Sequence, residues 1–280
     1  MPARRSRPAN DAPLHRMKRL ILCADDYALA PGVSRAIRDL AAAGRLNATS
    51  VMTPGPNLPD EAARLLAVAP PGFQIGLHVT LTGGLTPLTA PRMAFAEGIG
   101  SLLVRSHLRR LDRPALAAEI EAQMAAFLAA FGRPPDFIDG HQHAHLLPGI
   151  RDLVVAAVAH HVPGAWIRQC SGPRGTGEGM KGRVIAGLSR GLKRLAARHG
   201  IPTNPAFSGA YDFDSGDFAT LFPRFLEGLP DGAVVMVHPG EVDDALKRVD
   251  PVHGPRERER DYLAGAAFPA ALAAAGFRLA

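Results

Sequence analysis

The stretch DGHQHAH, from Asp139 to His145, sets three imidazoles at alternate positions behind a carboxylate. Imidazole is a strong ligand for borderline divalent metals, and it titrates near neutral pH. Phe137 and Ile138 just before it read as the end of a short buried strand. In extended chain the side chains alternate. His141, His143 and His145 are then expected on one face, with Gln142 and Ala144 on the other. The chemistry this predicts is metal-assisted hydrolysis, which needs about three protein ligands and one open position on the ion.

Other residues of the same chemical kind close apolar runs elsewhere. Asp25 and Asp26 follow residues 19–24, His78 lies in residues 73–79, and His238 ends residues 232–238. Two imidazoles and one carboxylate make a common ligand set. Adjacent residues of a regular strand point apart, so Asp25 and Asp26 are free for different tasks, one on a metal and one moving a proton. His238, on a late strand, is placed to give a proton to a leaving group. Such a site would hydrolyse an amide or an ester.

These residues need a scaffold that gathers strand ends. Short, continuously apolar segments at 19–24, 47–52, 73–79, 136–139, 165–168, 206–211 and 232–238 read as strands, with a short last one at 277–279. Helical patterns at 31–40, 58–68, 114–131, 148–160, 183–198 and 217–227 alternate with them, and 257–275 reads as a helix interrupted by Pro269. In the clearest helix, Leu116, Ile120, Met124, Phe127 and Phe131 recur at helical spacing, with Glu119 and Glu121 on other faces. This alternation is the pattern of a mainly parallel sheet covered by helices. About seven strands, with no GxGxxG after the first, favour a distorted, TIM-like (β/α) barrel over an open dinucleotide-binding sheet. In such barrels the active site is built on the C-terminal rim of the strands, where all four polar features fall. The Gly-rich segment 171–182 carries no GKS or GKT and reads as a mobile loop.

The chain has 280 residues, 47% of them hydrophobic, enough for one large core. Residues 1–17 read as a disordered basic tail and 18–280 as a single barrel domain. No run of 18 apolar residues is present, so no membrane span is expected, and the tail lacks the apolar core of a secretory signal. Cys23 and Cys170 form neither a disulfide framework nor a CxxC pair, which fits a reducing cytoplasm. The net charge of +6 comes from scattered arginines without interleaved aromatics. It reads as solvation rather than as a nucleic-acid surface.

Five ordered segments carry a family resemblance. They are ADDYALAPGV (24–33), TSVM (49–52), GLHVTLT (76–82), DGHQHAH (139–145) and VHPG (237–240). Together the chain resembles the YdjC-like carbohydrate deacetylases, which include chitooligosaccharide and hopanoid-associated deacetylases, from about residue 18 onward. The resemblance implies a distorted (β/α) barrel and metal-dependent removal of N-acetyl groups from amino sugars of chitooligosaccharide or glycolipid type. It implies Asp26, His78 and His141 as metal ligands, Asp25 as the catalytic base and His238 as the general acid. His143, His145 and Arg168 are left to bind substrate or to support the ligands. The ion implied is one Mg²⁺ or Zn²⁺, and a homodimer is compatible with the sequence. Tyr27-Ala28, Ser34 and Gly140 depart from the family's usual Phe-Gly, Asn and Ser, and none of them is a ligand. Two other readings compete. A two-metal phosphoesterase would need a second ligand set and a basic phosphate clamp. A non-catalytic carbohydrate-binding protein would have no use for both Asp25 and His238.

Overall fold

The structure, a computed structural model, describes residues 17–91, 93–95, 98–173, 179–213 and 216–280. The basic tail up to residue 16 and the centre of the Gly-rich segment, 174–178, lie outside the described residues. In chain order the elements are β1 (Lys18–Tyr27), α1 (Pro31–Ala42), β2 (Ala48–Val51), α2 (Leu58–Val68), β3 (Gln74–Val79), α3 (Ile99–His107) and α4 (Arg113–Phe131). Then come β4 (Phe137–Gly140), a 3₁₀ segment (His141–Leu146), α5 (Ile150–His161), β5 (Trp166–Ile167), α6 (Gly179–Arg198) and β6 (Phe207–Ser208). The chain ends with α7 (Phe218–Leu226), β7 (Ala233–Val237), α8 (Asp244–Val249), α9 (Gly254–Ala264), α10 (Ala267–Ala274) and β8 (Phe277–Leu279).

All strands pair in parallel, in the order β5-β4-β3-β2-β1-β7-β6, and β8 pairs the first residues of β1. The sheet is curled, as expected for a distorted barrel. Its two edges meet through a bridge between Ile167 and Thr203 and through the Phe207 N–H donating to the Ser171 carbonyl at 2.9 Å. Every residue of β2, β4 and β7 is buried, which explains why the strands read as unbroken apolar runs. One apolar core runs from Leu20 to Phe277.

The helices begin and end where local chemistry directs. Pro31 opens α1 at a position whose amide needs no partner. The Asp112 carboxylate caps α4 by accepting the Ala115 N–H at 3.1 Å, and Gly132, at φ 64°, ends it in the left-handed region. Among the described residues α4 is the one helix long and apolar enough to cross a membrane. Its buried face includes Leu116, Ile120, Phe127 and Phe131, and it packs on the barrel.

Some sequence expectations change. Among the described residues the eight strands include the short last one expected at 277–279, but α3 and α8 were not anticipated. At six residues α8 is too short for a period to show; it is set by Asp243, whose Oδ1 accepts the Leu246 N–H and whose Oδ2 accepts the Gly32 N–H, both at 2.7 Å. The break between α9 and α10 falls at Gly265, not at Pro269. Pro269 is the third residue of α10, where the missing amide costs no helix bond. Glu119 faces inward rather than outward: its carboxylate accepts the backbone N–H groups of Leu88 and Thr89, so burial follows its partners.

Candidate metal centre

The end of β1 makes the first wall of the site. Between Ala24 and Tyr27 its register against β2 is broken by a bulge, and Asp26 and Ala28 both turn through the left-handed region, at φ 70° and 71°. Such non-glycine conformations cost about 1–3 kcal/mol each and persist where surrounding contacts impose them. Here the Ser34 hydroxyl accepts the Ala28 N–H at 3.1 Å. The loop after β2 packs so closely that a Cβ on Gly55 would stand 1.9 Å from the Ala28 carbonyl oxygen. The turn lets Asp25 and Asp26 both serve the rim while facing different partners. Tyr27 points away from it, its hydroxyl donating to the Glu61 carbonyl at 2.7 Å.

His78 and Asp139 are register partners on the neighbouring strands β3 and β4. The His78 Nδ1 lies 2.7 Å from Asp139 Oδ1 and 2.8 Å from the Ser50 hydroxyl, which itself donates to Asp139. With Nδ1–H directed to Asp139, Nε2 is turned toward Asp26 Oδ1, 3.3 Å away. His141 Nδ1 approaches the same oxygen at 3.1 Å. One donor atom from each of Asp26, His78 and His141 lies within 4.8 Å of the others.

Two imidazole nitrogens facing one carboxylate oxygen call for a cation, either a proton or a metal ion. Burial works against a charged His78, yet the Asp139 carboxylate outweighs it and raises its pKa to about 10. Burial works against a charged Asp26 too. The Arg256 guanidinium and His141 outweigh that and hold its carboxyl well below the usual range. The donor set also fits a metal. Tetrahedral ligands at about 2.0–2.1 Å from zinc stand about 3.3 Å apart, close to the 3.1 and 3.3 Å separations found here.

Asp25 is gripped by Arg168, whose Nη1 donates to Oδ2 at 2.7 Å and Nη2 to Oδ1 at 2.8 Å. The same Nη2 lies 2.6 Å from Asp139 Oδ2. Arg168 therefore ties the Asp25 side of the rim to the Asp139–His78 pair. It is 1% exposed, and its guanidinium is occupied by these carboxylates. Cys23, Asp25 and Asp139 also form a compact donor group, but the Arg168 guanidinium sits against all three. That is a positive charge where a two-metal phosphoesterase would want its second ion.

The histidine run does not stay extended. Gly140 is still extended, but Gln142 and His143 enter the left-handed region at φ 51° and 60°, and the chain coils into 3₁₀ turns. The expectation that His141, His143 and His145 share one face is thereby overturned, because the alternation requires extended backbone. His141 turns to Asp26. His143 is half-buried, with Nδ1 3.6 Å from Cys170 Sγ and its ring edge-on to Phe207. His145 is fully buried and donates from Nε2 to the Arg168 carbonyl at 2.9 Å. Burial lowers its pKa to about 4, which favours the neutral ring, and its Nε2 is committed to the backbone carbonyl.

His238 follows Val237, which pairs in register with Ala24, so it stands beside Asp25 along the rim. It is half-buried, its ring is edge-on to Phe213 at 5.4 Å, and its backbone N–H donates to Glu259. Its Nδ1 has no hydrogen-bond partner among the described residues. The family resemblance extends to Arg256-Glu257 and Leu263 in a late arginine segment, but sequence reasoning gave Arg256 no role in the site and did not single out Glu259. Both are buried charges on an otherwise polar helix, and no local spacing rule marks such residues.

Fold and geometry together define a distorted (β/α)-barrel protein with a candidate divalent-cation site on its C-terminal rim. The chain belongs to the YdjC-like protein family, whose profile matches residues 19–274. It is 40% identical over 142 residues to a chitooligosaccharide deacetylase of Yersinia pestis (strain Pestoides F), an alignment covering 50% of this chain and 55% of that protein. The chain thus spans about half the length of the curated relatives it matches. Among solved structures it is similar to a putative cellobiose-phosphate cleavage protein of Enterococcus faecalis V583, with a TM-score of 0.73 at 20% identity over 94% of this chain and 97% of that one. An uncharacterized protein of Agrobacterium tumefaciens C58 follows at a TM-score of 0.50 and 15% identity, covering 91% and 85%. Likenesses at these identities speak for the fold.

Proposed function

We propose that the protein is a metal-dependent hydrolase that removes N-acetyl groups from amino sugars of the chitooligosaccharide or glycolipid type. The observation that carries this reading is the convergence of Asp26, His78 and His141 on one point, with Asp25 held in place by Arg168 beside it. Membership of the YdjC-like family and the partial alignment to chitooligosaccharide deacetylases support the substrate class.

In this reading Asp26, His78 and His141 hold one divalent cation. Two imidazoles and a carboxylate suit Zn²⁺, while Mg²⁺ prefers an all-oxygen set and keeps more of its water. When bound, the ion supplies Lewis-acid polarisation of the acyl carbonyl and acidifies water. The rest is done by side chains. Asp25 takes the proton of the attacking water on one carboxylate oxygen. Each oxygen retains a second lone-pair site while Arg168 fixes the plane of the group. His238, beside Asp25 on the next strand, gives a proton to the departing sugar nitrogen. Asp139 and Ser50 fix the His78 ring.

An acetate-release screen over N-acetylglucosamine oligomers and N-acetylated glycolipids, after chelation and with Zn²⁺ or Mg²⁺ added back, tests the reading. Metal-dependent acetate release is expected. Asp25→Asn should lower kcat by at least about a hundredfold, the size of a positioned general base, while metal content stays at the wild-type level. His141→Ala should lose the metal. Phosphate release without acetate release would overturn the reading, and unchanged metal in His141→Ala would overturn the ligand set.

A further inference from the structure

Helix α9 is polar along most of its length, yet its buried face carries Arg256, Glu259 and Leu263 at helical spacing. The neighbouring α10 fills its buried positions with Phe268 and Leu272. A helix that only covered the barrel would be better served by apolar residues, since burying an ion carries a desolvation penalty of several kcal/mol that only good partners offset. The partners of Arg256 are specific. Its Nη2 donates to Asp26 Oδ2 at 2.6 Å and to Asp250 Oδ2 at 2.9 Å, and its Nε donates to the Val252 carbonyl at 3.1 Å. The guanidinium is thus cradled by the α8–α9 connection before it meets Asp26. The Asp26 carboxylate is divided: Oδ2 belongs to Arg256, and Oδ1 faces His78 and His141.

We propose that Arg256 is a positioning residue of the metal centre, which by holding Oδ2 makes Asp26 a one-oxygen ligand. This rests on the reading that Asp26, His78 and His141 hold a divalent cation. A carboxylate free to bind through both oxygens would fill a position that the reaction needs for water or substrate. Arg256 removes that option and keeps the three-donor set open. A purely structural ion pair would instead act through stability, with no special effect on the ion.

The test uses the full chain loaded with Zn²⁺ or Co²⁺, and the variants Arg256→Met, Arg256→Lys and Glu259→Leu. Glu259→Leu removes an equally buried charge from the same helix face, one that holds Tyr211 and the His238 N–H rather than Asp26, and so reports the loss of a buried α9 charge that does not hold a proposed ligand. Metal affinity is read by competition with a chromophoric chelator, and coordination by the visible absorption of the Co²⁺ protein. Arg256→Met should weaken metal binding by about 10–100-fold, as loss of a residue that orients a ligand does, and should lower the cobalt band as Asp26 binds through two oxygens. Arg256→Lys, which keeps the charge without the planar fork, should lie between and serves if the Met variant does not fold. Glu259→Leu should leave both readouts near wild type. Unchanged affinity and spectrum in the Arg256 variants, or an equal loss in Glu259→Leu, would overturn the proposal. A wild-type protein that takes up neither ion would instead sink the metal reading on which it stands.

Discussion

At the scale of single residues, four histidines of this chain have been sorted by their partners rather than by their chemistry. His78 and His141 share an Asp26 oxygen, while His145, two residues beyond His143, is spent on a backbone carbonyl. That difference has a measurable consequence. Folded His145 stays neutral down to about pH 4, because burial disfavours its charged form, whereas the unfolded side chain takes a proton near 6.5. The unfolded state therefore binds more protons in this window, and stability falls as pH falls. The contribution is fully present above pH 6.5 and is lost on the way to pH 4, a change on the order of 3 kcal/mol for such a shift. His145→Gln retains an N–H donor for the Arg168 carbonyl and cannot take up the proton. Its denaturation midpoint should decline less between pH 7 and pH 4.5 than the wild type's. Parallel declines would show that His145 is not buried in the neutral form.

At the scale of elements, the site is held by four parallel strand ends and by helix α9. Glu259 of α9 accepts the Tyr211 hydroxyl at 2.7 Å and the His238 N–H, which fixes the end of β7. Burial raises the pKa of this carboxyl, and its partners are what keep it in place. Glu259→Leu leaves the Tyr211 hydroxyl and the His238 N–H unpaired, at about 1–3 kcal/mol for each buried group. Under the proposed function it should lower kcat by about tenfold or more at saturating metal, a loss of about 1.4 kcal/mol in transition-state stabilisation. Glu259→Gln, which can still accept from the His238 N–H, should recover most of it. A Gln variant as slow as the Leu variant would mean that charge, not the position of β7, is what Glu259 supplies. Elements also show where periodic patterns mislead. The run from His141 to His145 has the alternation of a strand, but the two left-handed residues at Gln142 and His143 replace it by a tight turn. Positive φ at non-glycine residues is imposed by contacts made after folding, so no composition rule anticipates it.

At the scale of the whole molecule, the parallel order gives β1 three partners and brings β7, β2 and β8 onto it from both ends of the chain. One continuous apolar core links Leu20 to Phe277. We expect residues 18–280 to unfold as one unit, with far-UV and near-UV circular dichroism changing at the same denaturant concentration. Two separated transitions would show that the barrel is divided into independent parts. Much of this architecture was legible in the chain itself, because buried parallel strands must be apolar on both faces and covering helices must be apolar on one. The strand ends at Asp25-Asp26, His78 and His238 were legible for the same reason, since each closes such a run. What the sequence by itself determined was therefore the alternation of elements and the set of polar residues at their ends. Tertiary structure alone decided which of those residues meet. Arg168 lies more than a hundred residues from Asp25, and Arg256 more than two hundred from Asp26. Hydrogen bonds across such separations depend on the closed shape of the sheet and on the bulge at Asp26, and neither is written in any local pattern of residues.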